Sequence, residues 1–524
     1  MASIEPNADN DKRDGCTVDL KESVAIDEAL SENEKSIWKQ LAENPRVIAC
    51  TLLANCGAFL FGYDILVQGA INALPAFSIY FGAPFDGGLI LPALWQGLWA
   101  AFAAMGIMLG ASSNGFFMDK FGRRIMFAVG GTISAVGVAI TFVSSDLSDP
   151  EQRRGILLLG KFIIGISMGI MMSTCQTYVS EISSPKLRTV LLGLYPFIIT
   201  VGQMIAITVV FSRVADMSKL AFKIPFASQW AFSGYSILAG LILPESPVYL
   251  VEKGRYEKAS KSLAFLGFAS SADDRISSIQ ASLDQQQGAA DNQSISFKEC
   301  FQGTNLRRTR IVALLNTLQQ FMGVSLVANS TYFFIMAGMD PRMSLTLNQI
   351  GTGIAMACTL VSWFIIGRVG RRAAILGSFA FAGLVYLGMG IAGFFPQNPT
   401  ALRFIGVSVI MAASSSNLGV GTAYPVSAAE MPSVRLRAKT MGLGFFVNAF
   451  MTWIFSFTVP YMFNADQGNL GGKIGFVFMG FCVIGFGLSW LEIPETKNMT
   501  YSRIEQLFES GVSARRFKAV AEME

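Results

Sequence analysis

The sequence contains no histidine among its 524 residues. Histidine is the only side chain that ordinarily changes charge between pH 5 and 8, and it is the commonest metal ligand in proteins. Any proton that this protein binds and releases in its work must therefore be carried by a carboxylate.

Charge of either sign is also scarce. Only 15% of the residues are charged and 52% are apolar, whereas about 25% of the residues of a soluble domain are charged. The mean hydropathy of +0.47 indicates a protein that crosses a membrane many times. The net charge is +4, and the basic residues cluster at the ends of apolar segments, which indicates membrane orientation and no nucleic-acid partner.

Motifs typical of enzymes and ATP-driven pumps are missing. The seven cysteines have neither metal-ligand nor paired-disulfide spacing. The sequence has no GxxxxGK[ST] nucleotide-binding loop, no zinc motif and no nucleophile elbow. We therefore expect no enzymatic activity, no metal and no cofactor.

What the sequence does contain is a series of twelve apolar segments, most of them near the roughly 20 residues that a membrane-spanning helix needs. A polar stretch at 245–309 separates six segments from six; its first half has helical periodicity and its second half has the composition of a loop. The segments lie at about 47–70, 91–113, 125–144, 155–180, 189–211, 229–243, 310–338, 348–367, 373–395, 403–424, 440–463 and 473–491.

The two sets of six segments repeat each other. "DKFGRR" (119–124) returns as "GRVGRR" (367–372), and "SEISSPKLR" (180–188) returns as "AEMPSVRLR" (429–437), at offsets of 248 and 249 residues. "PESP" at 244 returns as "PETK" at 494, an offset of 250 residues. With six helices in each half, corresponding points face the same side of the membrane. The sequence thus predicts an all-α membrane protein with twelve transmembrane helices in two parallel six-helix repeats.

The distribution of lysine and arginine predicts the orientation. The basic clusters of the repeated motifs and the central stretch lie on one side, which the positive-inside rule makes cytoplasmic, together with both termini. No signal peptide precedes the first segment, and we expect the plasma membrane as the location. The predicted parts are a cytoplasmic arm (1–46), a six-helix bundle (47–244), a cytoplasmic central loop with short helices (245–309), a second bundle (310–492) and a cytoplasmic tail (493–524).

Taken in order, the motifs resemble the sugar-porter branch of the major facilitator superfamily over nearly the whole chain. The matching stretches are "FGYD", "GFFMDKFGRR", "YVSEISSPKLR", "LPESPVYLVEKGRYEKA", "LQQFMGV", "GRVGRR", "EMPSVRLRAKT" and "IPETKNMTYSRIEQLFE". Within that branch, "GYDILVQGAINALPAF", "WQGLWAA" and "NSTYFF" most resemble the fungal maltose and α-glucoside proton symporters. The resemblance implies alternating access and proton-coupled uptake of a sugar, with the proton as coupling ion.

Two ionisable residues lie deep in the apolar segments: Asp64 in the first and Lys161 in the fourth. Asp64 lies about 26 Å along a helix that runs outward, and Lys161 lies about 9 Å below the outer edge of a helix that runs inward. Both depths fall in the outer third of a core about 30 Å thick, so each residue can be the partner that makes the other tolerable.

The resemblance agrees, since proton-coupled sugar porters have an aspartate on helix 1 and an arginine on helix 4. Lysine in place of arginine can lose its proton when buried. We expect Asp64 to take up the coupling proton and thereby to release Lys161. A static ion pair that holds helices 1 and 4 together is the alternative.

The resemblance also implies amide side chains as sugar contacts, because an amide offers both a donor and an acceptor. Gln319 and Gln320 point about 100° apart on a helix, which favours only one of them facing the cavity directly. The alternative for each amide is a hydrogen bond between helices. The predicted contacts are Gln203, Gln319, Gln320 and Asn448, with Asn329, Tyr332, Tyr424, Trp95 and Gln96 as weaker candidates.

The pocket positions depart from the sugar-porter pattern. Ser325 stands where the family has asparagine, Asn329 and Ser330 replace an aromatic pair, and Ala449 replaces the tryptophan that hexose porters have after Asn448. Two alternatives therefore stay open: a carrier of a non-sugar compound such as a polyol, a quinate-like acid or a specialised metabolite, in the inward or the outward direction, and a transporter-like nutrient sensor. We expect a monomer in the lipid bilayer with a small-molecule substrate, a carbohydrate in the main interpretation.

A set of charged residues lies at the predicted cytoplasmic ends of the helices. Glu181 and Arg188 repeat as Glu430 and Arg437 with the same separation, which a role of arginine in topology alone does not explain. We expect interhelix ion pairs that latch the two halves together when the site opens outward and that separate when it opens inward. The predicted latch comprises Asp119, Arg123, Arg124, Glu181, Arg188, Arg371, Arg372, Glu430 and Arg437.

Overall fold

The computed structural model describes residues 42–291, 297–433, 436–497, 499, 501–517 and 520. Most of the predicted N-terminal arm therefore lies outside the described residues. Within them the chain is almost entirely helical, and its one sheet is a two-stranded antiparallel hairpin.

The first half contains eight helices and the hairpin. They are α1 (Pro45–Ala54), α2 (Cys56–Ile71), α3 (Pro75–Phe81), β1 (Ala83–Phe85), β2 (Gly88–Ile90), α4 (Ala93–Phe121), α5 (Arg123–Val143), α6 (Pro150–Ile182), α7 (Pro185–Phe211) and α8 (Leu220–Ile242).

The central stretch and the second half come next along the chain. Their helices are α9 (Pro247–Glu252), α10 (Tyr256–Leu266), α11 (Ala272–Asp291), α12 (Gly303–Phe321), α13 (Val324–Ala328), α14 (Ser330–Met336), α15 (Pro341–Val369), α16 (Arg371–Ala392), α17 (Pro399–Leu418), α18 (Val420–Glu430), α19 (Arg437–Phe463), α20 (Ile474–Glu492) and α21 (Tyr501–Glu509).

These helices form twelve spans, as predicted. Among the described residues, eleven candidate spans are long and apolar enough to cross a membrane. The twelfth is α8, whose 23 residues are long enough but less apolar, because they include Lys223, Gln229 and several serines. For the same reason, hydropathy along the sequence places the start of this span only at residue 229.

Three of the predicted spans are interrupted helices. The first breaks at Asn55, between α1 and α2, and the tenth breaks at Gly419, between α17 and α18. The seventh breaks at Gly323, which has a φ of +82°, a conformation that glycine adopts without strain. There the Tyr386 hydroxyl donates to the carbonyl of Met322 at 2.8 Å, so the exposed backbone acceptor is satisfied inside the bundle.

The expectation of a loop in the second half of the central stretch is wrong as far as Asp291. Helix α11 continues through "ASLDQQQGAAD" to that residue. Alanine and glutamine are good helix formers, and Asp273 and Asp274 in the first turn favour the positive end of the helix dipole. Residues 292–296 lie outside the described part of the chain.

The hairpin is not among the predicted elements, although the sequence carries a signal for it. Asp86 and Gly87 form its two-residue turn and both have positive φ, 48° and 77°. Asp-Gly is a preferred pair for such turns, because both central residues must adopt positive φ. The strands pair Ala83 with Ile90 just before α4 begins.

Glycines let helices of the first half approach closely. Gly165 and Gly169 of α6 face the backbone of α4, where an added Cβ would overlap the carbonyl oxygens of Ala103 and Ile107. Gly160 faces α5 instead, against Thr141. Such small-residue contacts are the usual way for helices to pack in lipid. The two halves meet along α4 with α19 and along α7 with α15.

The molecule has two ends, each with its own chemistry. The basic face is the end where α4 stops and α5 begins, and it carries Arg123, Arg124, Arg371 and Arg372. The opposite face is the other end of the bundle, where α4 begins and α19 stops.

Candidate functional site

The structure brings the two deeply placed ionisable side chains together. The Lys161 ammonium on α6 donates to Oδ1 of Asp64 on α2 at 2.7 Å. Their side chains are only 1% and 4% exposed. A carboxylate and an ammonium in such surroundings are each very unfavourable alone, so the contact stabilises both.

Aromatic and apolar side chains enclose this ion pair. The Phe226 ring of α8 lies 5.7 Å from the Lys161 Nζ, within cation–π range. The hydroxyl of Tyr63, the residue before the aspartate, donates to the carbonyl of Pro225 at 3.1 Å and also contacts the Ser228 hydroxyl. Helices α2, α6 and α8 therefore form one connected polar centre inside the first half. The carboxylate of this centre can accept one proton, which would remove its negative charge and with it the ionic attraction to the ammonium.

Two of the four predicted substrate amides are used inside the second half. The Gln320 amide donates to Thr452 Oγ1 and accepts from Ser325 Oγ, both at 2.8 Å, and its residue is 3% exposed. Asn448 donates to the carbonyl of Asn316 at 2.9 Å. These bonds match the interhelical alternative considered for each amide.

The other two amides are free to meet a ligand. Gln203 on α7 and Gln319 on α12 are half-buried, and neither side chain has a hydrogen bond within the part of the chain that the structure describes. Gln319 and Gln320 point about 100° apart on the helix, so Gln320 can be bonded inside the bundle while its neighbour Gln319 is not.

Two of the weaker candidates belong to a contact between the halves at the opposite face. Leu91 donates its backbone N–H to the Tyr332 hydroxyl at 3.1 Å. The carbonyl of Leu91 accepts from Gln96 at 2.8 Å and from Asn464 at 2.7 Å, and the backbone N–H of Ala93 donates to the Asp466 carboxylate at 3.0 Å. Residues of the second half thus cap the first turn of α4. We call these residues the opposite-face cluster.

The remaining weaker candidates are only half-buried. Asn329 donates to the carbonyl of Ser325 at 3.0 Å within its own segment. Tyr424 and Trp95 pack against the main apolar core.

The residues of the predicted latch form ion pairs, but the two that the structure shows lie within one half each. Arg123 pairs with Glu181 at 2.8 Å in the first half, and Arg371 pairs with Glu430 at 3.0 Å in the second. The expectation that such pairs latch the two halves together when the site opens outward stays a prediction, because both pairs shown here lie inside one half. In each half, an arginine at the start of one helix pairs with a glutamate near the end of another helix of the same half.

Each of the two groups contains one further acid that sequence reasoning missed. The Glu245 carboxylate accepts from the backbone N–H of Arg123 at 2.9 Å, and Glu495 accepts from that of Arg371 at 3.1 Å. Both acids belong to the repeated "PESP" and "PETK" motifs, at the same 250-residue offset. Their repeat at an offset of 250 residues, close to the 248 of the arginines, was the signal that could have found them.

The second arginine of each motif is also held within its half. Arg124 donates to the carbonyls of Gly240 and Leu241 at 2.9 and 2.6 Å, and Arg372 donates to that of Trp490 at 2.8 Å. These carbonyls lie at the last turns of α8 and α20. Arginine there satisfies backbone acceptors that the helix leaves unpaired.

The other latch residues differ in exposure. Asp119 and Arg188 are exposed, and no ion pair to either is found among the described residues. Arg437 is half-buried at the start of α19. In the first half, Glu181 therefore pairs with Arg123 of another helix and not with Arg188, which is seven residues further along the chain.

Two six-helix halves, a carboxylate–ammonium pair inside one of them and an unbonded amide in each half are together typical of a membrane transporter. The family model described as "Sugar (and other) transporter" matches residues 49–508. The chain belongs to this family and is a transporter of the sugar-porter type.

Known relatives span almost the whole chain. It is 30% identical over 512 residues to the MFS transporter fmqE of Aspergillus fumigatus, which covers 95% of this chain and 94% of that protein. It is 29% identical over 500 residues to the general alpha-glucoside permease of Saccharomyces cerevisiae, covering 94% and 80%. The maltose permease MAL61 of the same yeast is 28% identical over 534 residues, covering 99% and 84%.

The fold is that of solved transporters. The inward-open xylose transporter XylE of E. coli superimposes with a TM-score of 0.73 at 21% identity, covering 88% of this chain and 99% of that one. Its partially occluded inward-open form gives a TM-score of 0.72 at 20% identity, covering 87% and 100%. The twelve-helix arrangement predicted from the sequence is confirmed.

Proposed function

We propose that this protein carries a carbohydrate into the cell together with a proton, by alternating access. The observation that carries the proposal is the Asp64–Lys161 contact of 2.7 Å, in surroundings where both side chains are almost fully buried. Ionisable residues inside a membrane bundle are costly and mark transport pathways by default.

The proton would act through this contact. A proton on Asp64 leaves the Lys161 ammonium without its counter-charge, so helices α2 and α6 lose the attraction that holds them in register. Deprotonation restores it. If the protein changes conformation only when this contact breaks or forms again, each conformational change requires a proton to bind or leave. The movement of the substrate is then coupled to the movement of the proton.

In the proposed orientation the basic face is cytoplasmic. The positive-inside rule supports this, because the repeated arginine motifs all lie at that face. The opposite-face cluster then closes the external side, where residues such as Asn464 and Asp466 hold the start of α4. We infer that the structure shows the inward-facing conformation. We also propose that the protein lies in the plasma membrane.

The substrate class rests on the amides and the relatives. Gln203 and Gln319 carry donors and acceptors that nothing within the described chain uses, which suits the hydroxyls of a carbohydrate. Relatives that cover most of this chain are an alpha-glucoside permease and a maltose permease. An α-glucoside is the substrate that fits both observations.

Radiolabelled uptake in a yeast strain that lacks its own sugar transporters tests the proposal. Maltose, glucose and a polyol would be offered with and without a protonophore. We expect maltose to accumulate above its external concentration and the protonophore to abolish accumulation. Uptake that a protonophore leaves unchanged would contradict proton coupling.

A carrier of a non-sugar compound is the second candidate. It is favoured because Gln320 and Asn448 are both bonded inside the second half, which leaves fewer amides for a sugar than the family pattern implies. Failure of every carbohydrate to accumulate, in cells where the protein reaches the membrane, would favour this candidate.

A further inference from the structure

A groove of about 810 Å³ opens on the outside of the second half, between α15 and α16, with α17 behind them. Its lining is almost entirely apolar, and on α15 it reaches from Leu347 to Val369. That distance is about 33 Å at about 1.5 Å per residue. One lipid leaflet fills about half of a hydrocarbon core about 30 Å thick, so the groove is long enough for a complete acyl chain.

Small side chains on α16 create this space. At the 248-residue offset of "DKFGRR" and "GRVGRR", Ala373 and Gly377 of the lining correspond to Ile125 and Val129 of α5. Those larger side chains are 48% and 39% exposed on the outside of the first half. An added Cβ on Gly377 would meet nothing within 4 Å, so this glycine does not serve the packing of helices. The second half therefore has space where the first half has side chains.

The groove ends near the basic face, at the break of the tenth span. Leu418 and Gly419 belong to its lining there. Gly419 lies so close to α16 that an added Cβ would overlap the carbonyl oxygen of Ala374 and the Ser378 hydroxyl. Ser415 donates to the carbonyl of Ser378 at 3.1 Å. A molecule in the groove would therefore contact the point where α17 ends and α18 begins.

Two cationic side chains lie at this end of the groove. Arg368 is exposed on the last turn of α15, next to Val369, and its guanidinium has no ion pair or hydrogen bond within the residues that the structure describes. The Lys497 ammonium donates to the carbonyl of Arg368 at 2.6 Å. The Glu495 carboxylate, two residues before Lys497, already accepts from the backbone N–H groups at the start of α16. An anion at this end would meet two positive charges.

We propose that the groove binds an anionic phospholipid of the cytoplasmic leaflet. One acyl chain lies between α15 and α16, and the phosphate accepts from the Arg368 guanidinium and the Lys497 ammonium. Anionic lipids are enriched in that leaflet, and basic pockets between membrane helices suit their head groups. A guanidinium can donate two hydrogen bonds to one phosphate. The inference rests on the orientation given in the proposed function, and the bound lipid would support the break of the tenth span.

Native mass spectrometry of the purified full-length protein tests the head-group part of the site. Phosphatidylserine or phosphatidylcholine would be titrated into the detergent solution, and the first bound lipid would be measured. We expect phosphatidylserine to bind about tenfold more tightly, and Arg368→Gln to remove this preference, because a charge-assisted hydrogen bond is lost. Lys120→Gln is the matched control: Lys120 is exposed at the same repeat position of the first half, so the preference should remain.

A second variant tests the groove itself. Ala373→Ile/Gly377→Val gives α16 the side chains that α5 carries at the corresponding positions, and these fill the space for the chain. We expect the affinity for phosphatidylserine to fall about tenfold, because the apolar contacts with the chain are lost. Gly480→Val on α20 is the control, since nothing lies within 4 Å of an added Cβ there either, and it should leave the affinity unchanged.

Equal affinity of the unsubstituted protein for the two lipids would overturn the inference. Unchanged binding in the groove variant would do the same, because it would show that the head group binds at the basic face without the groove. If one of the two variants fails to fold, the other decides the question against its own control. The measurement needs neither substrate nor proton gradient, so a failure of carbohydrate uptake would refute the proposed transport function and leave this result unaffected.

Discussion

At the residue scale, the Asp64–Lys161 contact combines two groups that neither lipid nor apolar protein tolerates alone. The aspartate is the member of the pair that we propose binds the coupling proton, because the chain has no histidine that could do so. The lysine gives the aspartate its counter-charge, and the Phe226 ring lies 5.7 Å from its ammonium. Predictions about coupling therefore concern these side chains first.

We expect Asp64→Asn to abolish concentrative uptake and its dependence on external pH, while exchange of labelled substrate across the membrane continues. Asparagine keeps the shape and a hydrogen bond but cannot bind the coupling proton. The measurement is maltose uptake against external pH, with Asp216→Asn in the loop between α7 and α8 as control. An unchanged pH dependence in Asp64→Asn would support the static ion pair instead.

Lys161→Met should lower the stability of the protein by about 3–5 kcal/mol at neutral pH, because it leaves a carboxylate buried without its partner. The loss should shrink at acid pH, where the carboxylate is protonated. Thermal unfolding of the purified protein in detergent measures both effects. The double variant Asp64→Asn/Lys161→Met should recover most of the stability; a double variant as unstable as the single one would contradict the pairing.

The sequence predicted these two residues as partners because helix direction and rise per residue place both in the outer third of the membrane. It could not predict which amides face the cavity. Gln319 and Gln320 are adjacent in the sequence, and only the positions of Thr452 and Ser325 decide that Gln320 is the one bonded inside the bundle.

At the element scale, the two groups at the basic face repeat each other. In each half a glutamate from the "PESP" or "PETK" motif accepts from the first N–H groups of a helix that begins with two arginines. A carboxylate at a helix N-terminus is favoured both by these donors and by the helix dipole. Each group ties the helices of its own half, so each half can move as a unit.

Gly122 and Gly370 are required for this geometry. Their φ values are +89° and +92°, and a Cβ on them would overlap the Oε2 atoms of Glu245 and Glu495. Alanine at either position should cost about 1–3 kcal/mol of stability.

Gly115→Ala on α4 is the control, since nothing lies within 4 Å of its added Cβ. Thermal unfolding of the three purified variants compares them. Equal stability of Gly122→Ala and Gly115→Ala would contradict the role of the positive φ.

The repeat of these motifs was visible in the sequence, but their partners were not. The repeated spacing of Glu181 and Arg188 indicated interhelix ion pairs without saying which residues pair; in the structure Arg123 is the arginine that reaches Glu181, and Arg188 is exposed. A regular spacing fixes where residues lie along a helix and leaves open which neighbouring helix they meet.

At the scale of the whole molecule, the opposite-face cluster joins the two halves through the start of α4. Asp466 accepts from the backbone N–H of Ala93, as an N-terminal cap supplied by the other half. Asn464 and Tyr332 bond the backbone of Leu91. These bonds must break whenever the two halves separate at this face.

We therefore expect Asp466→Ala to shift the population toward the conformation that is open at the opposite face. Loss of a cap is worth about 0.5–2 kcal/mol, which corresponds to a change of about 2- to 30-fold in the conformational equilibrium. A spin-label pair at exposed Phe85 and at Arg342, one in each half, reports the separation at this face.

Asp149→Ala is the matched control, because Asp149 caps α6 within its own half by accepting from the backbone N–H of Glu151. It should lower stability without changing the distance distribution. The same distribution in Asp466→Ala and the unsubstituted protein would show that this cap does not hold the halves together.

The sequence by itself determined the number of spans, the two-fold repeat and the depth of Asp64 and Lys161, since these depend on hydropathy along the chain and on a fixed rise per residue. Only the tertiary structure decided the partners: Glu181 for Arg123, the opposite-face cluster for the start of α4, and Thr452 for Gln320. Hydrogen bonds and ion pairs depend on distances of about 3 Å between helices remote in the sequence. Such distances are set by packing, which no periodicity along one chain specifies.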